Sequence, residues 1–235
     1  MFIQQALQRP AILISYLIAL TIAIAVHELG HAFVGWAMGD PTGIDHGKTT
    51  ITVTDPSTRQ RRRLTFLNPF KYFNLIGFLM FLIVGFGFLG QAPVNPSRMR
   101  NPRLGMTLAV AAGPLSNLAT AVVFAIPWWL GMSYTGGTQL LPSMPEVLLW
   151  IINWNVLLCF FNLIPLYPLD GWTIVLGLLP TDLAYTWERY RMQSYYLFFI
   201  LILISFINIP SFPDPLNLLI SQPTNATVGF LTRLW

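Results

Sequence analysis

The chain has 235 residues, of which 54% are hydrophobic and only 9% are charged, and its net charge is +4. Soluble domains carry roughly 25% charged residues, so this composition excludes an ordinary soluble protein. The 14% of aromatic residues excludes a disordered or collagen-like chain. The basic residues lie in short loops between apolar runs, where membrane topology explains them better than nucleic-acid binding. We expect an integral membrane protein surrounded by the lipid bilayer, with no nucleic-acid partner.

Long apolar runs predict an all-α polytopic membrane protein that forms one domain, residues 1–235, with its core at about 11–180. We predict four transmembrane helices, at Ala11–Met38, Leu104–Leu130, Val147–Leu179 and Ser194–Ile209. The third of these runs is interrupted by prolines. A fifth apolar run, Phe73–Gly90, is 18 residues long and rich in glycine.

The path of the fifth run determines how positive charge is distributed. If Phe73–Gly90 dips into the membrane and returns, 11 of the 13 lysines and arginines share one face, with Arg9 and Arg233 opposite. The positive-inside rule then makes that face cytoplasmic and places both termini outside the cell membrane. We therefore favour a re-entrant segment, which protein or a wet cavity must shield. A fifth crossing with a weak charge bias is the alternative.

A β-hairpin is predicted in the insert at about 43–66. Lys48–Thr54 and Arg59–Phe66 are β-prone and flank the turn-forming sequence Asp55-Pro56-Ser57. Such a hairpin could offer an edge strand to an extended substrate. Alternatively, its RQRRR run could only contact anionic lipid. The sequence leaves both interpretations open.

The sequence AVHELGHAF places His27, Glu28 and His31 at the end of the first apolar run. This H-E-x-x-H pattern is typical of zinc metalloprotease helices. Residues i and i+4 lie on one helical face, so both imidazoles can bind one zinc ion, and Glu28 can reach a zinc-bound water. Ionisable residues in a membrane segment are costly and usually functional. We therefore predict a zinc site with Glu28 as the catalytic base.

A catalytic zinc needs a third protein ligand. The candidates are Asp40, Asp45, His46, Glu146, Asp170, Asp182 and Glu188. The only cysteine, Cys159, lies in an apolar stretch, where we expect it to be buried, so a cysteine-based zinc cluster is excluded. Asp170 follows Pro165 and Pro168, which break an apolar span. Because a carboxylate there is costly unless it meets a cation, we predict Asp170 as the third ligand.

Three motifs in this order resemble the site-2 protease family of intramembrane zinc metalloproteases. They are HELGH at 27–31, AAGPLSN at 111–117 and NLIPLYPLDG at 162–171. The stretch PVNPSRMRNPRLGM, just before the second motif, is similar to the compact prokaryotic branch, which has no PDZ or CBS domain. The resemblance covers most of residues 11–180.

The resemblance implies one zinc ion per chain, bound by His27, His31 and Asp170, with Glu28 as the base. It also implies that Asn162 hydrogen-bonds the substrate backbone or the developing oxyanion, although an interhelical hydrogen bond is an alternative role. The supporting residues would be Gly113, Pro114 and Asn117. The expected substrates are transmembrane segments of other membrane proteins, cut near the cytoplasmic side.

Two other functions must be weighed against proteolysis. A catalytically silent member of the family could act as a scaffold that binds membrane proteins, but it would have no physical need to keep a buried zinc constellation. A transporter would also use broken helices and charges within the membrane. It would predict corresponding interruptions in two repeated halves, and the sequence contains no such repeat.

Overall fold

The computed structural model describes residues 9–54, 61–78, 90–130, 137–138, 140–207 and 214–233. Within these ranges the helices, in chain order, are α1 (Pro10–Ala37), α2 (Thr42–Gly47), α3 (Pro102–Trp129), α4 (Met144–Leu163), α5 (Asp170–Leu178), α6 (Thr181–Arg189), α7 (Arg191–Ile207) and α8 (Gln222–Thr232). Strands β1 (Lys48–Thr54) and β2 (Arg61–Leu67) pair with each other. Short 3₁₀ turns lie at Pro69–Tyr72 and Pro96–Arg98, and a π-helical turn at Asn217–Ser221.

Three of the described helices, α1, α3 and α4, are long and apolar enough to cross a membrane. The first two match the predicted spans to within two residues. The predicted third span is divided into α4 and α5, as its prolines indicate. The predicted fourth span corresponds to α7, an apolar helix of only 17 residues. The fold is thus that of a helical membrane protein with a small hairpin, as predicted.

Helices α1, α3 and α4 pack against one another around a core in which Tyr16, Leu20 and Ile24 of α1 contact Trp154 and Leu158 of α4. Small buried residues on α1, including Ala19 and Ala23, allow the helices to approach closely. Cys159 is buried in α4, as predicted.

Contacts at the helix termini define two ends of the molecule. At one end, which we call the basic end, Met38 O accepts a hydrogen bond from Arg100 N–H at 3.0 Å, and Arg103 donates to Gly177 O at 3.0 Å. At the other end, Arg9 forms a salt bridge with Glu146 at 3.0 Å. The two described terminal residues, Arg9 and Arg233, lie at this second end, since Trp128 at the end of α3 donates to Thr232 O at 3.1 Å.

The hairpin is antiparallel, with Ile51 opposite Leu64 in the register. Its first strand, Lys48–Thr54, begins and ends as predicted, and the second runs over Arg61–Leu67 instead of Arg59–Phe66. The predicted turn, Asp55-Pro56-Ser57, falls within 55–60, which lie outside the described residues.

The predicted re-entrant path of Phe73–Gly90 lies mostly in 79–89, outside the described residues. Its two ends are described, and they lie side by side. Phe73 and Gly90 form an isolated antiparallel bridge, and Gln91 N–H donates to Tyr72 O at 3.0 Å. This pairing brings Gly90 and the residues after it beside α1, where Ala92 contacts Glu28.

Candidate metal centre

The two histidines of the HELGH motif face the interior of the helix bundle from α1. His27 and His31 are four residues apart on one helical face, and both are buried. Their Nε2 atoms lie 3.0 Å from each other. The i, i+4 spacing thus brings two imidazole nitrogens to one point, as the sequence predicts.

Asp170 joins the histidines from the first turn of α5. Its Oδ2 atom lies 3.1 Å from His27 Nε2 and 3.4 Å from His31 Nε2. Gly171 allows this approach, because a β-carbon there would collide with the carbonyl oxygens of Leu163 and Ile164 at the end of α4. The break between α4 and α5 therefore places the carboxylate against α1.

Hydrogen bonds on the far side of each ring fix which nitrogen faces Asp170. His31 Nδ1 lies 2.9 Å from Ala109 O, and this carbonyl can only accept. His27 Nδ1 lies 2.7 Å from Asn117 Oδ1, which is also an acceptor. Both Nδ1 atoms therefore carry a proton and donate, so that in the neutral imidazole the Nε2 atom of each ring is unprotonated.

With both imidazoles neutral, three acceptor atoms therefore meet in one buried place. Asp170 Oδ2 is buried and receives no hydrogen bond. Two neutral imidazole nitrogens and a carboxylate oxygen in such an arrangement are suited to bind a cation. A tetrahedral zinc ion with ligands at about 2.0–2.1 Å would hold them about 3.3 Å apart, close to the distances found here. The donor set fits zinc, and coordination of zinc by these residues stays a prediction.

The other candidates for the third ligand lie elsewhere and have other partners. Asp45 pairs with Lys48, Glu146 with Arg9 and Glu188 with Arg191. His46 Nε2 lies 3.0 Å from Lys71 O, and Asp182 lies on the exposed helix α6, where its backbone oxygen accepts a hydrogen bond from the Thr186 hydroxyl. Asp40 is buried in the turn after α1, where it accepts hydrogen bonds from Thr42 and Asn95. Among the described residues, only Asp170 completes a cluster with the two histidines.

Glu28 is buried beside the histidines and is held by the segment that follows the fifth apolar run. Its Oε2 atom accepts a hydrogen bond from Ala92 N–H at 2.5 Å. Its Oε1 atom lies next to Gly90, where a β-carbon would come within 2.8 Å of it. These contacts could not be predicted from the sequence, because Gly90 and Ala92 carry no functional side chain and are distant from Glu28 along the chain.

The AAGPLSN motif supports the site from α3, and Gly113, Pro114 and Asn117 are all buried. A β-carbon at Gly113 would come within 2.5 Å of His31 Nε2, so the glycine gives the imidazoles their space. Reciprocally, a β-carbon at Gly30 of α1 would come within 2.7 Å of Ala112 O. The two glycines allow α1 and α3 to cross in close contact, and Asn117 orients His27.

Asn162 lies at the edge of the cluster, near the end of α4. Its Nδ2 atom donates to Leu158 O within its own helix at 3.1 Å, so the alternative of an interhelical hydrogen bond is not found among the described residues. Asn162 lines a cavity of about 490 Å³ together with Glu28, Asp170 and Tyr167. None of the described residues lining this cavity comes from the hairpin strands.

No family model matches the chain, and no solved structure matches it significantly. Among curated proteins, the chain is similar to one from Bacillus subtilis (strain 168) named "Putative zinc metalloprotease YwhC". The two are 31% identical over 198 residues, which is 82% of this chain and 82% of the relative. This similarity agrees with the donor set around His27, His31 and Asp170. The chain belongs to the site-2 protease-like family of zinc metalloproteases.

Proposed function

We propose that this protein is an intramembrane zinc endopeptidase, which hydrolyses peptide bonds in or near transmembrane segments of other membrane proteins. One observation carries the proposal: the buried cluster of His27, His31 and Asp170 lies inside a bundle of three apolar helices. His27 is ten residues from the end of α1, which is roughly 15 Å along the helix axis. A substrate must therefore bring its peptide bond to a site below the membrane surface.

Zinc, when bound by His27, His31 and Asp170, supplies Lewis-acid polarisation of the scissile carbonyl and activation of water. Glu28 is the base, which accepts a proton from the attacking water and later transfers it to the leaving amine. Because Ala92 N–H occupies Oε2, the Oε1 atom is the one available for this proton. The buried position of Glu28 keeps bulk water from competing for it.

The cavity beside Glu28 and Asp170 is where we place the substrate. At about 490 Å³, it has room for a few residues of extended chain. Among the described residues, Asn162 Nδ2 makes one hydrogen bond and Oδ1 makes none. The free amide positions can therefore bind a substrate peptide group, and the second N–H can stabilise the negative charge that develops on the carbonyl oxygen.

The proposed orientation follows from the charge distribution. Arg98, Arg100 and Arg103 border the basic end, whereas Arg9 and Arg233 lie at the opposite end. By the positive-inside rule, the basic end faces the cytoplasm and both termini lie outside. The site is nearer to the basic end along α1, so we expect cleavage in the cytoplasmic half of the substrate segment.

The test uses purified wild-type protein and the Glu28→Gln variant in lipid nanodiscs, with a single-span model substrate. We expect one zinc ion per chain in both proteins, but cleavage only by the wild type. Glu146→Gln is the matched control, because it makes the same chemical change in the Arg9 salt bridge, far from the cluster. It should cleave as the wild type does, and mass spectrometry of the products locates the cut.

Cleavage by Glu28→Gln at the wild-type rate would contradict the assignment of the base. Zinc in both proteins, with no cleavage of any of a panel of single-span substrates, would favour a zinc-holding scaffold over a protease. A wild type that binds no zinc would overturn the ligand assignment.

A further inference from the structure

We propose that Asn155 of α4 is a positioning residue for the metal centre, which acts on His27 through the side chain of Asn117. The inference rests on the proposed zinc site, and it assigns a role to a residue that no motif singled out. Asn155 is fully buried, and its hydrogen bonds join it to Ile151 and Asn117 rather than to the histidines. Its effect is transmitted by two amide groups joined by hydrogen bonds.

Four hydrogen bonds form this relay across α4, α3 and α1. Asn155 Nδ2 donates to Ile151 O at 2.9 Å within α4. Asn117 Nδ2 donates to Asn155 Oδ1 at 2.9 Å and also to Ala23 O of α1 at 2.8 Å. Asn117 Oδ1 then accepts from His27 Nδ1 at 2.7 Å. The relay connects three helices and ends at a proposed ligand.

The backbone carbonyls fix the orientation of both amides. Ile151 O can only accept, so the NH₂ group of Asn155 must face it, and Asn155 Oδ1 must face Asn117. Asn117 then has two acceptors, Ala23 O and Asn155 Oδ1, on its NH₂ side. Both of its protons are used there, and only its oxygen remains for His27. Asn155 therefore supplies one of the two acceptors that hold Asn117 in this orientation.

The orientation of Asn117 determines whether His27 can bind a metal ion. With Asn117 Oδ1 facing the ring, His27 is protonated on Nδ1, and the Nε2 lone pair points at Asp170 and His31. If the amide were reversed, its NH₂ would require an acceptor on Nδ1, and the ring proton would move to Nε2. A protonated Nε2 is a donor and cannot ligate a cation. Asn155 thus stabilises the metal-binding tautomer of His27.

The test compares wild type, Asn155→Leu and Ser116→Ala in nanodiscs by two measurements. The first is the zinc dissociation constant, obtained by competition with a chelator. The second is the ¹⁵N spectrum of labelled histidine in the metal-free protein, which distinguishes Nδ1–H from Nε2–H, with the three histidines assigned by single replacements. Ser116→Ala is the matched control, since its hydroxyl bonds Val26 O between α1 and α3 but has no bond to either amide of the relay.

We expect zinc binding by Asn155→Leu to be about 10–100-fold weaker, the usual effect of losing a residue that orients a ligand. An Nε2–H signal of His27 should also appear. Ser116→Ala should keep wild-type affinity and the Nδ1–H tautomer. In an Asn117→Leu background, the additional Asn155→Leu change should cause no further loss, because Asn155 acts only through Asn117.

Unchanged zinc affinity and an unchanged His27 tautomer in Asn155→Leu would overturn the inference. If Asn155→Leu does not fold, Asn155→Ser is the second variant, since its shorter side chain cannot reach Asn117 Nδ2. If the wild type itself binds no zinc, the proposed function fails. The tautomer of His27 in the metal-free proteins still decides the role of Asn155 in that case.

Discussion

Gly113 on α3 lies directly against His31 on α1, so that a β-carbon at position 113 would come within 2.5 Å of the Nε2 atom of that imidazole. It would also come within 2.9 Å of His27 Cε1. Real β-carbons essentially never make such contacts. The absence of a side chain at one position of α3 is therefore a condition for both imidazoles to occupy their places.

Gly113→Ala should accordingly disrupt the metal centre. One methyl group would push His31 and His27 away from Asp170, and we expect zinc affinity to fall by at least about 10-fold, as for the loss of an orienting residue. Gly35→Ala on α1 is the control, because its β-carbon would meet only ordinary contacts at 3.8 Å or more. Zinc titration of both variants measures the effect, and equal affinities would contradict the steric argument.

Asp170→Asn should remove zinc binding while preserving the shape of the side chain. The amide is neutral, so it lacks the negative charge that attracts the cation. It presents either a weaker oxygen ligand or an NH₂ group to the two Nε2 atoms. We expect a loss of affinity larger than the roughly 10–100-fold typical of outer residues. Asp182→Asn, on exposed helix α6, is the comparison. Metal analysis after dialysis against a weak chelator distinguishes the two variants. Zinc retained by Asp170→Asn would exclude Asp170 as a ligand.

Gly90→Ala should reduce turnover without removing zinc. A β-carbon there would lie 2.8 Å from Glu28 Oε1 and 3.0 Å from Tyr72 O. Either the Glu28 side chain or the backbone around residue 90 must therefore shift. General-base catalysis typically contributes about 10²–10⁴-fold, and displacement of Glu28 should lose a substantial part of this. The kcat of a model substrate and the zinc content are measured together. A kcat of Gly90→Ala equal to that of the wild type would contradict the prediction that Gly90 keeps Glu28 in its catalytic position.

Asp40→Asn should destabilise the turn that joins α1 to α2. Burial by itself would raise the pKa of Asp40, but hydrogen bonds from Asn95 and Thr42 outweigh it and hold the pKa below its ordinary value. The bonds come from Asn95 N–H and from both the N–H and the hydroxyl of Thr42. An amide cannot accept all three of them, and we expect a loss of about 1–3 kcal/mol in the free energy of unfolding. Asp45→Asn, in an exposed pair with Lys48, should cost at most about 1 kcal/mol.

The pH dependence of Asp40 has a definite sign. Because its pKa is lower in the folded state, its contribution to stability is fully present above the unfolded value of about 3.9. That contribution is lost as the pH falls through the lower folded value. The difference in melting temperature between wild type and Asp40→Asn should therefore be constant near neutral pH and shrink under acidic conditions. A difference that grows on acidification would contradict the assignment.

Local sequence patterns were sufficient for much of the architecture. The apolar runs predicted α1 and α3 to within two residues, because hydrocarbon thickness sets the length of a spanning helix. Pro165 and Pro168 predicted the break before Asp170, since proline removes a backbone donor. The alternating TTITVT pattern predicted β1. Each of these signals depends on neighbours within one element.

The sequence by itself also determined that His27 and His31 share one helical face, because four residues make about one helical turn. The sequence also predicted Asp170 as a ligand and Asn117 as a supporting residue, but only the tertiary structure decided how they and their neighbours meet the histidines. Asp170, the Ala92 N–H that holds Glu28 and the amides of Asn117 and Asn155 come from segments distant in the chain. Their positions depend on how α1, α3 and α4 pack. They also depend on backbone acceptors such as Ala23 O and Ile151 O, which cannot be recognised in the sequence because every residue type has a carbonyl oxygen. The spacing of the two histidines is set within one helix, whereas their orientation depends on contacts among three helices.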